Sequence, residues 1–382
     1  MKPAYDVAII GGGLAGCSAA VHLAARGKRV IVLEAKTYPH HKVCGEFLSP
    51  ECATLLDELG LTENITACHP KQIDIVHITA PDGTSWTTRL PGTAWGISRY
   101  VLDDALARHA RACGVEISEQ TVASAIDGDL ENGFRVEGRL AGSSITIRAR
   151  AVVGAHGKRS GVDRSLNRAF LRRPAPFIGL KSHLYGPPLP NRIELHVFPG
   201  GYCGFSEVEN GGANVCLLVR QDVFHQHRSI PAFIEWMSTQ NPHLGRWLSG
   251  AKSAGEDWLS IAQVSFAHKP PIERDVLMAG DSAGLIAPLA GDGMAMALRG
   301  GELAATLLNR FLDGALSADG LRRGYTTAWE REFWGRLRLG RALQSLMLRP
   351  PALVWGLRLI NHMPRIGQYL VNHTRDLSDV RP

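Results

Sequence analysis

The stretch YDVAIIGGGLAGCSAAVHLAARGKRVIVLEAK, residues 5 to 36, leaves this chain few folds to choose from. A short apolar run meets three glycines, a helical stretch follows, and a second apolar run ends on an acid. Gly11, Gly13 and Gly16 have the G-x-G-x-x-G spacing. The three glycines permit, in turn, a tight turn, a close approach of backbone to a pyrophosphate, and close packing of helix on strand. The helix opens at Leu14 and Ala15, so its unpaired N–H groups and positive dipole end face a phosphate held by the turn. Glu34, followed by Ala35, closes the second strand, where a carboxylate accepts both ribose hydroxyls. A carboxylate there favours a ribose without a 2′-phosphate, so the unit predicts bound FAD or NAD rather than NADP.

A chain built only for NAD would continue with further strand-helix units. Here HPKQIDIVHITAPDGTSWTTRLPG, residues 69 to 92, reads instead as an antiparallel pair turning at Asp82 and Gly83. Residues 175 to 219 also take strand periodicity, with turns at 199–201 and 210–212. The nucleotide domain is therefore interrupted.

Composition narrows the class. With 382 residues, 45% of them apolar, the chain has two or three domains' worth of core. Its seven cysteines contain no C-x-x-C and no zinc-like clustering, which predicts a reduced, cytoplasmic protein without a metal. The opening MKPAYDVAII runs straight into a strand, and no apolar run nears the roughly 18 residues of a membrane span. The net charge of +6 is confined to the end: residues 321–382 hold 11 arginines against 4 acids. That location argues against nucleic acid as a partner. The segment interleaves arginine with Leu, Trp and Met at helical spacing and breaks at Pro350 and Pro351. Two readings stay open, a pair of helices packed on the body with solvated arginines, or a surface for peripheral contact with acidic lipid or greasy substrate.

Four stretches resemble the FAD-dependent family that includes aromatic hydroxylases of the p-hydroxybenzoate hydroxylase type, geranylgeranyl reductases and flavin halogenases, with the glutathione reductase 2 type of FAD fold. The glycine unit is the first. The second, HKVCGEFLSPE, is similar to the loop that geranylgeranyl-reductase-like members run past the flavin. The resemblance implies Lys42 near the nucleotide, with Cys44, Gly45 and Glu46 near the ring, and makes Cys44 and Glu46 the catalytic candidates. The third, ISRYVLDDALARHARACGVEI, matches in Arg99 the family's arginine at a helix start that reaches the FAD. The strand TVASAID just after it implies an adenine contact at Val122. In the fourth, DVLMAGDSAGLIAPLAGDGMAMALRGGELAATLL, the resemblance sets Gly280 and Asp281 at the ribityl and pyrophosphate region and Pro288 at the ring edge. It brings Gly291, Gly293 and Met294 to the flavin carbonyl, where a helix N-terminus stabilises the negative charge of reduced flavin.

The implied architecture is α/β: a Rossmann-like FAD-binding domain (1–72, 92–174, 265–320), an inserted, mostly antiparallel β-sheet substrate domain (73–91, 175–264), and a C-terminal helical segment (321–382). Tyr202 and Phe205, in FPGGYCGF, are the candidate substrate contacts in the sheet over the flavin. The chain departs from the family at VVGAHGKRSGVDRSL, where His156 stands in place of an aspartate linked to cofactor and nicotinamide binding. That leaves NADPH, NADH or a separate reductase as electron donor, and His156 as either a functional change or a surface replacement.

The leading expectation is a monooxygenase that hydroxylates an apolar or aromatic small molecule through a hydroperoxide at flavin C4a. The alternative is a double-bond reductase of the geranylgeranyl type acting on an isoprenoid or quinone. A non-catalytic prenyl or lipid carrier ranks third, opposed by intact glycines at both turns. The halogenase option is weakened because no W-x-W-x-I-P segment occurs.

Overall fold

The protein is described from a computed structural model over residues 4–255, 257–363 and 367. Along the chain, β1 (Tyr5–Ile10), α1 (Leu14–Ala24) and β2 (Val30–Leu33) form the opening unit. A hairpin of β3 (Lys71–Thr79) and β4 (Ser85–Gly96) leads into α2 (Arg99–Ala112) and β5 (Glu116–Ser118). A meander of β6 (Thr121–Asp129), β7 (Gly133–Leu140) and β8 (Ser143–Gly154) follows. Next come β9 (Phe177–Tyr185), β10 (Arg192–Phe198), β11 (Gly201–Glu207) and β12 (Ala213–Arg220). Two helices, α3 (Ile230–Thr239) and α4 (Pro242–Ser249), precede β13 (Leu259–Val264) and β14 (Val276–Met278). The chain then turns helical, with α5 (Gly293–Leu312), α6 (Ala318–Met347) and α7 (Pro350–His362).

The first sheet sets β14, β8, β1, β2 and β5 side by side and parallel, with β7 added antiparallel to β8 and β6 antiparallel to β7. Its central strand β1 carries Val7, Ala8 and Ile9 without exposed surface, as a sheet covered on both faces requires. The second sheet runs β9–β12–β11–β10–β3–β4, antiparallel except where β10 meets β3. The hairpin extends beyond the expected 73–91, because β4 continues to Gly96 to pair with Phe47 and Leu48.

Glycines set how closely α1 and α5 approach. A Cβ on Gly301 would lie 2.4 Å from the Ala15 carbonyl oxygen, and Ser18 donates to the Leu298 carbonyl at 2.7 Å. The C-terminal pair is helical as far as it is described, and α7 begins at the proline pair that ends α6. Residues 364–366 and 368–382 of that expected segment lie outside the described residues. No described helix is long and apolar enough to cross a membrane.

Candidate functional site

A single cleft of about 840 Å³ runs between the two sheets and under the C-terminal helices. Its inner half is built from the two glycine turns, which are neighbours in space. Gly280 adopts φ 60°, and a Cβ there would stand 3.0 Å from the Ala15 side chain. Gly11 adopts φ 100°, and a Cβ on it would meet the Ala155 carbonyl oxygen at 2.4 Å. Gly16 does not line the cleft; a Cβ there would lie 1.9 Å from the Gly11 carbonyl oxygen, so it serves the helix-on-strand packing. Gly11, Gly13, Leu14 and Ala15 line the cleft, and no side chain caps the α1 N-terminus that opens into it.

Lys42 and Arg99 arrive from separate elements beside that N-terminus. A Cβ on Gly13 would lie 3.5 Å from Lys42 Nζ and 3.6 Å from Arg99 Nη2. Both cations are held by Asp103, which accepts from Arg99 at 2.7 and 2.8 Å and from Lys42 at 2.7 Å. Burial alone would raise the Asp103 pKa, but the Arg99 and Lys42 charges overcome it and bring the carboxyl down to about 2. Glu34, buried, accepts from the Gly12 N–H at 2.8 Å and the Lys36 N–H at 3.0 Å, which ties the glycine turn to the end of β2. Ala35 and Val122 line the same end of the cleft, Val122 with half its surface exposed.

At the other end of the inner half lie Gly280, Asp281, Pro288, Gly291, Gly293 and Met294. Gly291 turns at φ 74° just before α5, whose N-terminus therefore also opens into the cleft. Two buried cations clamp this loop. Arg168 donates to the Ser282 carbonyl at 2.9 Å and the Pro270 carbonyl at 3.2 Å. Lys269 donates to the carbonyls of Asp281 and Lys158, at 2.7 and 2.9 Å, and burial pushes its pKa down to about 8. His156 lines the cleft with its side chain 4% exposed, so it is no surface replacement. Its Nε2 lies 3.0 Å from Asp163, a carboxylate seven residues on that Arg168 also binds at 3.0 Å.

Cys44, Gly45 and Glu46 line the cleft between its halves. Glu46 has no exposed surface and sits at φ 53°. It accepts from Lys181 at 2.5 Å, from His183 at 2.7 Å and from the Arg99 N–H at 2.7 Å. Burial would raise its pKa, yet the His183 hydrogen bond and the Lys181 charge together leave it lowered. With its oxygens taken by Lys181, His183 and the Arg99 N–H, Glu46 ties α2 to β9 at the cleft wall. Cys44 lies beside the Arg99 guanidinium, and its Sγ takes the Glu46 N–H at 3.5 Å.

The outer half is apolar. Val76, Trp86, Leu195, Tyr202 and Leu218 come from the second sheet, Leu285 and Leu289 from the loop before α5, and Met347, Leu353 and Leu357 from α6 and α7. Tyr202 is buried there. Phe205, three residues along β11, points to the opposite face and stacks on Trp247 with centroids 4.5 Å apart, outside the cleft. Strand alternation forbids both side chains from facing one chamber.

The sequence profile of the FAD binding domain family matches residues 4–175. Digeranylgeranylglycerophospholipid reductase 1 of Methanothermobacter thermautotrophicus is 28% identical over 80% of this chain and 77% of its own length. Menaquinone reductase of Mycobacterium tuberculosis is 26% identical over 85% of this chain and 82% of its own. The flavin-dependent brominase Bmp2 shares the fold, with a TM-score of 0.81, 19% identity, and coverage of 99% of this chain and 96% of that one.

The chain is an FAD-dependent oxidoreductase. It is similar to the p-hydroxybenzoate hydroxylase-like and geranylgeranyl reductase-like flavoproteins. The residues of this flavoprotein fit the cofactor: two converging helix N-termini and the Lys42–Arg99 pair suit a pyrophosphate, and glycines keep the backbone open on both sides. Sequence reasoning missed Arg168, Lys269, Lys181 and His183. Lys181 and His183 did leave a signal, polar residues two apart inside the apolar strand FIGLKSHLY, on the face that meets Glu46.

Proposed function

We propose that this oxidoreductase saturates a carbon–carbon double bond in an isoprenoid or quinone-like lipid. The observation that carries this reading is the outer half of the cleft, walled by side chains such as Leu195, Leu218, Leu285, Leu353 and Leu357 from the second sheet, one loop and the helix α7. Such a wall suits a flexible hydrocarbon, whose transfer from water is favourable by about 25 cal/mol per Å². The reductases of digeranylgeranylglycerophospholipid and of menaquinone among its relatives support the same substrate class. FAD, once bound and reduced by the electron donor, would supply a hydride to one carbon of the double bond and be left oxidised. The other carbon needs a proton, for which Cys44, which lines the cleft, is the candidate: the thiolate left behind would sit beside the Arg99 guanidinium.

A monooxygenase acting on an aromatic ring is the second reading. One feature favours it: the buried Tyr202 hydroxyl, next to the Leu289 backbone, gives a ring hydroxyl a polar partner in the chamber. NADPH, NADH or a separate reductase remains the proposed electron source, and His156 in the inner half makes a reductase partner the more attractive of these.

The two readings separate in one experiment. Photoreduced enzyme is mixed with geranylgeranylated lipid, menaquinone or a phenolic substrate under heavy-isotope oxygen, and products are weighed by mass spectrometry. A lipid that gains two hydrogens and no label is the expected result. Labelled oxygen in any product overturns the reductase in favour of the monooxygenase.

A further inference from the structure

The helix α7 is apolar on two sides. Leu353 and Leu357 point inward, nearly without exposed surface, and form part of the chamber wall. On the opposite side Trp355 is 74% exposed, Leu359 54% and Met363 50%. The spacing of four residues lines these three up along one ridge. Leu346, at the end of α6, lines the cleft and is also partly exposed near the corner where Arg349 is exposed. A solvated helix of this size normally reserves its outer face for polar residues.

Charge says what covers the ridge. From Phe333 to Arg375 the sequence contains seven arginines and no acid. Among the described residues, Arg338, Arg349 and Arg358 are exposed on α6, at the corner and on α7. Arg358 reaches Asp82 at 3.2 Å and still keeps 58% of its side chain exposed. A tryptophan-bearing apolar ridge flanked by exposed arginines matches the interface of a bilayer, where the indole sits among headgroups and guanidinium groups meet phosphate.

We infer that the outer face of α7, with the α6–α7 corner, docks on an anionic lipid surface, so that the wall of the substrate chamber lies against the membrane. The inference deepens the reductase reading by naming where its lipid would be met, and its test does not use the reaction. A single layer of helix separates the chamber from that surface, and Leu353 and Leu357 on one side stand opposite Trp355 and Leu359 on the other.

The experiment is flotation of the full-length, flavin-loaded protein with vesicles of phosphatidylcholine containing about 30% phosphatidylglycerol, and with phosphatidylcholine alone. Binding to the anionic vesicles, weakened by added salt, is expected. The double variant Trp355→Ser, Leu359→Ser should lower binding about tenfold, and Arg349→Ser with Arg358→Ser roughly fivefold per arginine, with no loss of bound flavin. Flavin retention reports that the variants fold. Wild-type protein that ignores anionic vesicles, or serine variants that bind as well as wild type, would overturn the inference. So would a dimer that the Trp355→Ser, Leu359→Ser pair dissociates in protein lacking vesicle binding, since a second copy would then own the ridge. A protein that binds vesicles yet yields oxygen-labelled product keeps the docking surface and loses only the reductase reading.

Discussion

Asp103 shows how one buried carboxylate organises two cations for a ligand. Its side chain is fully buried, and its pKa of about 2 lies below the unfolded value of about 3.9. Stability from such a group is complete above the unfolded pKa and is lost as pH falls through the folded one. We predict that Asp103→Asn costs about 2–3 kcal/mol near neutral pH. The gap in denaturant midpoint between wild type and variant should narrow between about pH 4 and pH 2. A gap that stays constant down to pH 3 would contradict the assignment. Glu46 carries a different lesson. Its place in the cleft was expected from the loop sequence, but its partners Lys181 and His183 lie 135 and 137 residues later. Nothing local in KVCGE indicates that both oxygens will be taken.

Among the elements, β11 illustrates what a three-residue spacing does on a strand. Tyr202 faces the chamber and Phe205 the opposite core, where it stacks on Trp247. Phe205→Ala should therefore lower stability by about 3–5 kcal/mol while leaving turnover per folded molecule within about twofold. Tyr202→Phe should alter turnover or KM with little change in stability. Thermal unfolding and steady-state kinetics on both variants decide the point, and a catalytic defect in folded Phe205→Ala would place it at the site after all. The contact of α1 with α5 rests on a glycine that motif reading passed over. Because a Cβ on Gly301 would press on the Ala15 carbonyl oxygen at 2.4 Å, Gly301→Ala should push the two ligand-facing helices apart. Weaker FAD retention, read by flavin fluorescence on dilution, is the expected outcome. The strand-helix openings themselves were legible because their spacing is local: G-x-G-x-x-G before α1, and the proline and glycines before α5.

For the whole molecule, the decisive feature is that one cleft crosses both sheets and ends under the C-terminal helices. Its two halves differ in chemistry, charged and glycine-rich within, aliphatic outside. Removing α7 and everything after it takes Leu353 and Leu357 from the chamber wall but none of the residues around the glycine turns. A chain ending at Arg349 should keep FAD bound while its KM for an apolar substrate rises at least about tenfold, the effect of some 1.4 kcal/mol of lost burial. Loss of flavin along with activity would mean that α7 supports the nucleotide half as well. The sequence alone determined the nucleotide-binding opening, the acid that ends its second strand, the interruption by strands and the helical, arginine-rich end, because each is written in local spacings. Tertiary structure decided which carboxylate is an anchor, which aromatic faces the chamber, and what closes it. Those outcomes depend on which side chains far apart in the sequence are packed against one another, as Glu46 is with Lys181 and His183, and no local periodicity encodes which distant partner will arrive.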